Sequence, residues 1–247
     1  SALLAVVAGA RAAAAAQGRP VPRVAYVMTD GAALPAWFSR TVSALRAAGW
    51  ITACITAGQA LGGDLEATTV HTALLAARHV LDADVAVVAQ GPGNLGTGTR
   101  WGFSGVQAGE AVNAAGVLHG RPIASLRVSG ADPRERHRGV SHHSLTAYGR
   151  VALMPAEVPV PRLEAVPGLE ELGRRVRAEV ATLAAPSGRH SLVDVEVTGL
   201  LEALSSSPVR LSTMGRSLDD APGAFLAAAA AGRLAAAGLT ATRPSAP

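Results

Sequence analysis

The chain has 247 residues, 49% of them hydrophobic and 16% charged, a balance that folds rather than stays disordered. Its net charge is +4, and all 22 basic residues are arginine, which excludes a Schiff-base lysine and a Walker-type phosphate lysine. Eight aromatics in the whole chain and scattered arginines count against nucleic-acid binding, and a single cysteine, Cys54, excludes an internal disulfide and a cysteine zinc cage.

In chain order, Ser1 to Ala16 reads as a helix. It has no initiator Met and no basic residue before its apolar run, so it does not read as a secretory signal. The expectation is a cytoplasmic protein that begins inside a longer chain, its N-terminal part absent. Val24 to Met28 is a first strand. Leu34, Phe38, Val42 and Leu45 then share one helical face, with Pro35 at the start and Gly49 at the stop. Ile51 to Thr56 is a second strand, and its Cys54 reads as a packed, inert thiol. Val70, Leu74, Ala77 and Leu81 mark a helix, and Val85 to Val88 a third strand. Ser104-Gly105-Val106-Gln107 has a capping-box pattern opening a helix through Leu118. Ile123 to Val128 is a fourth strand.

Leu145 to Met154 reads as a strand reached without a crossover helix, hence antiparallel. Glu157 to Pro161 reads as a stiff connector. Leu169, Leu172, Val176 and Leu183 give a helix, Leu192 to Val197 a strand, Thr198 to Leu204 a short helix and Val209 to Ser212 a strand. Asp220-Ala221-Pro222 opens a last Ala-rich helix, and the alanine richness itself reads as coding bias. Strand–helix repeats of this length predict a three-layer αβα fold with a mainly parallel, mixed, open sheet. Residues 1–247 read as a single domain with a lobe boundary near Pro161.

Open parallel sheets bind ligands beyond the carboxyl ends of their strands. The long polar loops all follow strands there, and the opposite ends carry only short turns such as Ala48-Gly49-Trp50. Asp30 follows the first strand; Asp64 and Glu66 follow the second. The third loop holds Gly91, Gly93, Gly96, Thr97 and Thr99, whose backbone amides and hydroxyls suit a phosphate or carboxylate. Gly91, Gly93 and Gly96 formally spell Gly-x-Gly-x-x-Gly. A dinucleotide site also needs an acid about 20 residues on, and Asp132 is much further away.

From Asp132 to His143, twelve positions hold three arginines, three histidines, an aspartate and a glutamate. Arg134 and Arg136 are candidates for bidentate anion binding, with Arg138 beside them. His137, His142 and His143 are candidates for general acid–base work, with Asp30 to orient them. A divalent metal is a further option, on Asp64, Glu66 and His71 together with Asp30, His142 or His143. A Ser–His–Asp arrangement through Ser129 or Ser141 lacks the Gly-x-Ser-x-Gly elbow. Ser212 to Arg216 is another candidate anion loop, or a plain turn.

The strings Gly91 to Thr99, Gly102 to Gly105, Asp132 to His143 and Ser212 to Arg216 resemble a bacterial domain-of-unknown-function family found in actinobacteria and clostridia-like bacteria. The resemblance covers essentially the whole chain. Members are typically longer at the N-terminus, which fits an internal start. No activity is assigned to the family, so no catalytic residue carries over. The expected role is binding of a small anionic metabolite, phosphate- or nucleotide-containing, with or without catalysis. The alternative is a non-catalytic ligand-sensing module. No membrane partner is expected, and homo-oligomerisation stays open.

Overall fold

In the computed structural model, residues 2–31, 34–91, 95–184 and 189–239 are described. Four parallel strands make the main sheet: β1 (Val24–Thr29), β2 (Ala53–Ala57), β3 (Leu65–Ala67) and β4 (Val85–Gln90), in the order β3-β2-β1-β4. Tyr26 stands opposite Cys54 on one side and Val87 on the other. Side chains alternate along β1. Ala25 and Val27 pack with Ile55 against Ala73 and Ala77 of α3 (Val70–His79). Val24, Tyr26 and Met28 enter the principal core with Leu3 to Ala8 of α1 (Ala2–Ala16) and Val42 and Leu45 of α2 (Arg40–Ala47). Helices on both faces explain why β1 and β2 are buried at every residue. The strand β3 lies in what the sequence suggests is loop.

The helix expected from Leu34 is shorter. Ser39 accepts a hydrogen bond from the Val42 amide and starts α2 afresh, leaving Leu34 and Phe38 exposed. The pattern at Ser104 is not a capping box. Ser104 Oγ instead accepts from the Leu95 amide, and α4 (Gln107–Val117) follows a single 3₁₀ turn.

The expected fourth strand does not join the main sheet. Ile123 bridges Glu157 in parallel, and only Val128–Ser129 forms a short strand, β5, antiparallel to β6 (Gly139–Val140). Its backbone is satisfied elsewhere. The Ala124 amide donates to Glu157 O, Tyr148 Oη to Ser125 O, and the Arg127 amide to Ser144 Oγ.

The stretch expected as a strand, Leu145 to Met154, is helical as far as Val151. Ser141 caps α5 (His142–Thr146), which runs on as a π-helical turn over Ala147–Val151. Gly109 of α4 makes room for it, since a side chain there would overlap the Ala147 carbonyl. Asn113 ends it: Nδ2 donates to Val151 O, and Oδ1 accepts from the Leu153 and Met154 amides at 2.6 and 3.0 Å.

Glu157–Pro161 is no connector but a strand, β7, parallel to β8 (Ser191–Val195). Beyond the helix α6 (Glu170–Ala184), α7 (Leu200–Ser205) and the ribbon β9–β10 (Ser212–Thr213, Arg216–Ser217) lead into α8 (Pro222–Ala237). The helix α8 packs on β7, β8 and α1, while α1 reaches β4, so this pair joins the main sheet to the β7–β8 sheet. Among the described residues, no helix is long and apolar enough to cross a membrane.

Candidate functional site

The chain steps from β1 to β2 and β3 on one side, then returns to place β4 on the other side of β1. The two connections diverge at the carboxyl ends of β1 and β4, where an open parallel sheet leaves a crevice. A cleft of about 810 Å³ opens there, with Thr29, Gln90 and Gly91 at the strand ends. Gln107 ties its floor: it accepts from Thr29 Oγ1 at 3.1 Å, and its Nε2 donates to Asp30 Oδ1 at 2.8 Å. Asp30 Oδ2 accepts from the Gln59 amide at 3.1 Å. That amide first, and Gln107 second, hold the Asp30 carboxyl below its ordinary value.

The glycine loop contributes Gly91, Gly96 and Gly98 to the cleft wall. Gly98 has a φ of +83°, which favours glycine there, and the Arg136 guanidinium lies in ordinary contact range of it. Thr97 and Thr99 hydroxyls bond one another at 2.9 Å, and Thr99 Oγ1 also accepts from the Gly102 amide. Gly93 lies outside the described residues.

The opposite wall is the Asp132 to His143 segment. Asp132 is buried, and its carboxylate accepts from the Arg134 amide, Nε and Nη2 at 3.0, 3.0 and 2.9 Å. Those bonds hold the Asp132 carboxyl far below the usual carboxylate range. Arg138 donates to Asp132 O through Nε and pairs with Glu135, which also pairs with Arg175 of α6.

The three histidine rings cluster, with centroids 5.0 Å apart for His137 and His142, 4.9 Å for His137 and His143, and 4.4 Å for His142 and His143. The buried His137 bonds Ser141 Oγ through Nδ1 at 2.8 Å, and the same oxygen accepts from the His143 amide. Phe103 stacks on His143 at 3.9 Å with the rings nearly parallel, and meets His142 edge-on at 5.8 Å. Arg127 Nη1 donates to His143 Nδ1 at 3.3 Å. His142 Nε2 is buried and has no hydrogen-bond partner among the described residues.

Burial first, and then Arg127 and Arg134, push His137 down to about 4. Burial, then His142 and Arg127, push His143 down to about 3. His142 is lowered by burial and then by Arg136 and Arg127. At neutral pH the cluster therefore consists of neutral imidazoles in a cationic surround.

Arg127, Arg134 and Arg136 all face the cleft, together with His137 and His143. The late ribbon adds Ser212, Thr213 and Arg216 to the same cleft. Its turn has positive φ at both central residues, 52° at Met214 and 79° at Gly215, which suits the twist of a two-residue hairpin.

The sequence candidates thus divide. Gly91, Gly96, Arg134, Arg136, His137 and His143 line the cleft; His142 joins the ring cluster, and Asp30 stands behind Gln107. Asp64 instead accepts from the Cys54 amide and pairs with Arg46, Glu66 accepts from the Gly62 amide, and His71 is exposed on α3. Among the described residues, the group close enough to hold a metal ion is His137, His142 and His143, and it includes none of those three. Sequence reasoning missed Arg127, Phe103 and Gln107. A charge within the apolar run Ile123 to Val128 was the available signal for Arg127.

A search of curated proteins and a search of solved structures each found no match. Residues 1–232 match the family described as "Protein of unknown function (DUF3866)", and the chain belongs to that family.

Proposed function

We propose that the cleft binds a small anionic metabolite through a phosphate or carboxylate group, and that the protein acts on it. The supporting observation is the convergence of Arg127, Arg134 and Arg136 on neutral histidines at the β1–β4 switch point. The buried carboxylate beside them, Asp132, is paired with Arg134 and offsets part of the positive field, which leaves Arg127 and Arg136 as the cations without a carboxylate of their own among the described salt bridges. A guanidinium pair offers bidentate bonds to a phosphate, and Arg136 lies against Gly98 of the glycine loop. The imidazoles, at about 4 and 3 without ligand, are weak bases, and an anion bound among the arginines would raise them towards the range in which histidine moves protons.

Binding without turnover is the second reading. Ser141, the hydroxyl that touches His137, is fully buried and caps α5, so it is not presented as a nucleophile.

The test is calorimetry with inorganic phosphate, pyrophosphate and nucleotides, in the presence of chelator. One anion should bind, and Arg136→Ala should weaken it roughly 10- to 100-fold, the loss of a charge-assisted hydrogen bond worth about 1.5–3 kcal/mol. Phosphate release from a bound ester would favour the enzyme over the sensor. Failure of every anion to bind the folded protein would remove both readings.

A further inference from the structure

We infer that His137, His142 and His143 form a binding site for one late first-row divalent transition-metal ion, zinc by preference. Each ring offers a nitrogen, and the three nitrogens lie within 4.8 Å of one another. A zinc ion about 2.0–2.1 Å from each would need them roughly 3.3 Å apart, a closure within the reach of small side-chain rotations. His142 supplies the independent indication, because its Nε2 is buried with no hydrogen-bond partner among the described residues. A buried ring nitrogen without a partner is costly, and a metal ion would satisfy it.

The surroundings have the form of a ligand shell. His137 bonds Ser141 Oγ through Nδ1, which leaves Nε2 as its free nitrogen and fixes the ring. Phe103 holds the His143 plane by stacking. Three imidazoles select zinc, copper, nickel or cobalt over magnesium and calcium, which take oxygen. Three protein ligands also leave a fourth position, and His137 and His143 reach the cleft where it would open.

Arg127 opposes the ion. It donates to His143 Nδ1, so the ring's own proton sits on Nε2; the ion either takes Nδ1 in place of Arg127, or takes Nε2 once the proton has moved to Nδ1 and Arg127 has swung aside. Its charge, with those of Arg134 and Arg136, weakens cation binding, and Asp132 offsets part of it. Arg127→Met should therefore tighten the ion rather than loosen it. This site does not depend on the anion reading.

The experiment uses untagged, chelator-stripped protein titrated with cobalt(II) alone in an anion-poor buffer. We expect one equivalent to give the strong visible bands of four-coordinate cobalt, and zinc to displace it. His142→Ala should weaken binding at least tenfold, His71→Ala should leave it unchanged, and Arg127→Met should strengthen it. Should His142→Ala not fold, the wild-type spectrum and the nitrogen count from copper(II) paramagnetic resonance decide. Cobalt that keeps the weak spectrum of the aqua ion would overturn the proposal. So would binding that His142→Ala spares in folded protein.

Discussion

Three neutral histidines inside a ring of arginines make the folded state sensitive to acid. An unfolded histidine titrates near 6.5, whereas folding pushes His137 to about 4 and His143 to about 3. Below about pH 6.5 the unfolded chain takes up protons that the folded chain refuses, so stability falls with pH. The contribution is fully present above about 6.5 and is lost progressively towards the folded values. Arg127, Arg134 and Arg136 deepen the effect, and Asp132 moderates it at His137. In chelator-treated protein, urea unfolding at pH 7, 6 and 5 should show a slope of up to about 1.4 kcal/mol per pH unit for each histidine. His143→Gln should flatten that slope. An unchanged slope would mean the ring is not held neutral. Cys54 is the opposite case, a thiol that does nothing at the site. Burial, then Asp64, pushes it up to about 12, in keeping with its packed position on β2.

At the scale of elements, what the sequence revealed depended on how far the information had to travel. The strands β1, β2 and β4 were legible because continuous apolar runs between helices are a local pattern. The loops at their carboxyl ends were legible for the same reason, and the cleft lies there. The stretch from Leu145 to Met154 was misread because its helical state rests on distant partners: the notch at Gly109 and the amide of Asn113. Glu157 to Pro161 was misread because two prolines suggest a connector, yet the strand pairs with β8, Glu157 opposite Ser191. The metal candidates Asp64 and Glu66 read as loop residues after β2, although Glu66 lies on β3 and Asp64 just before it. Only the fold shows their carboxylates turned back onto backbone amides. Asn113 gives the sharpest check at this scale. Asn113→Ala orphans two amides and a carbonyl at the end of the π-helical turn, and each buried orphan costs about 1–3 kcal/mol. Partial solvation keeps the expected total near 2–3 kcal/mol. Asn113→Asp should recover part of it, since its oxygens still accept from Leu153 and Met154. Chemical denaturation measures both, and an Ala variant within about 0.5 kcal/mol of wild type would show that water replaces the cap.

At the scale of the whole molecule, the alanine richness that reads as coding bias has a packing use. The helices α1 and α8 come from opposite ends of the described chain and press together along small residues, joining β4 on one side to β7 and β8 on the other. Leu3 to Ala10 and Phe225 to Gly232 are all buried, so neither helix has a solvent face over that stretch. Two glycines set the approach. A Cβ on Gly9 would overlap Ala229 O, and one on Gly232 would overlap Val6 O, backbone atoms that cannot swing aside. Two effects then compete in Gly9→Ala or Gly232→Ala. Helix propensity favours alanine by about 0.8–1.0 kcal/mol. Overpacking a tight interface costs about 1–3 kcal/mol, and more where the clash is with backbone. The clash should win at both sites. We expect each variant to lose about 1–3 kcal/mol, a fall of roughly 2–12 °C in Tm at 2–4 °C per kcal/mol for a domain of this size. Gly18→Ala, beyond the end of α1 with open space around it, is the control for glycine replacement alone. Its positive φ of 59° makes a small loss the expected result there. Stabilisation by Gly9→Ala and Gly232→Ala together would mean that the helices stand further apart than the structure places them. The union of the two sheets through this pair would then have to be redrawn.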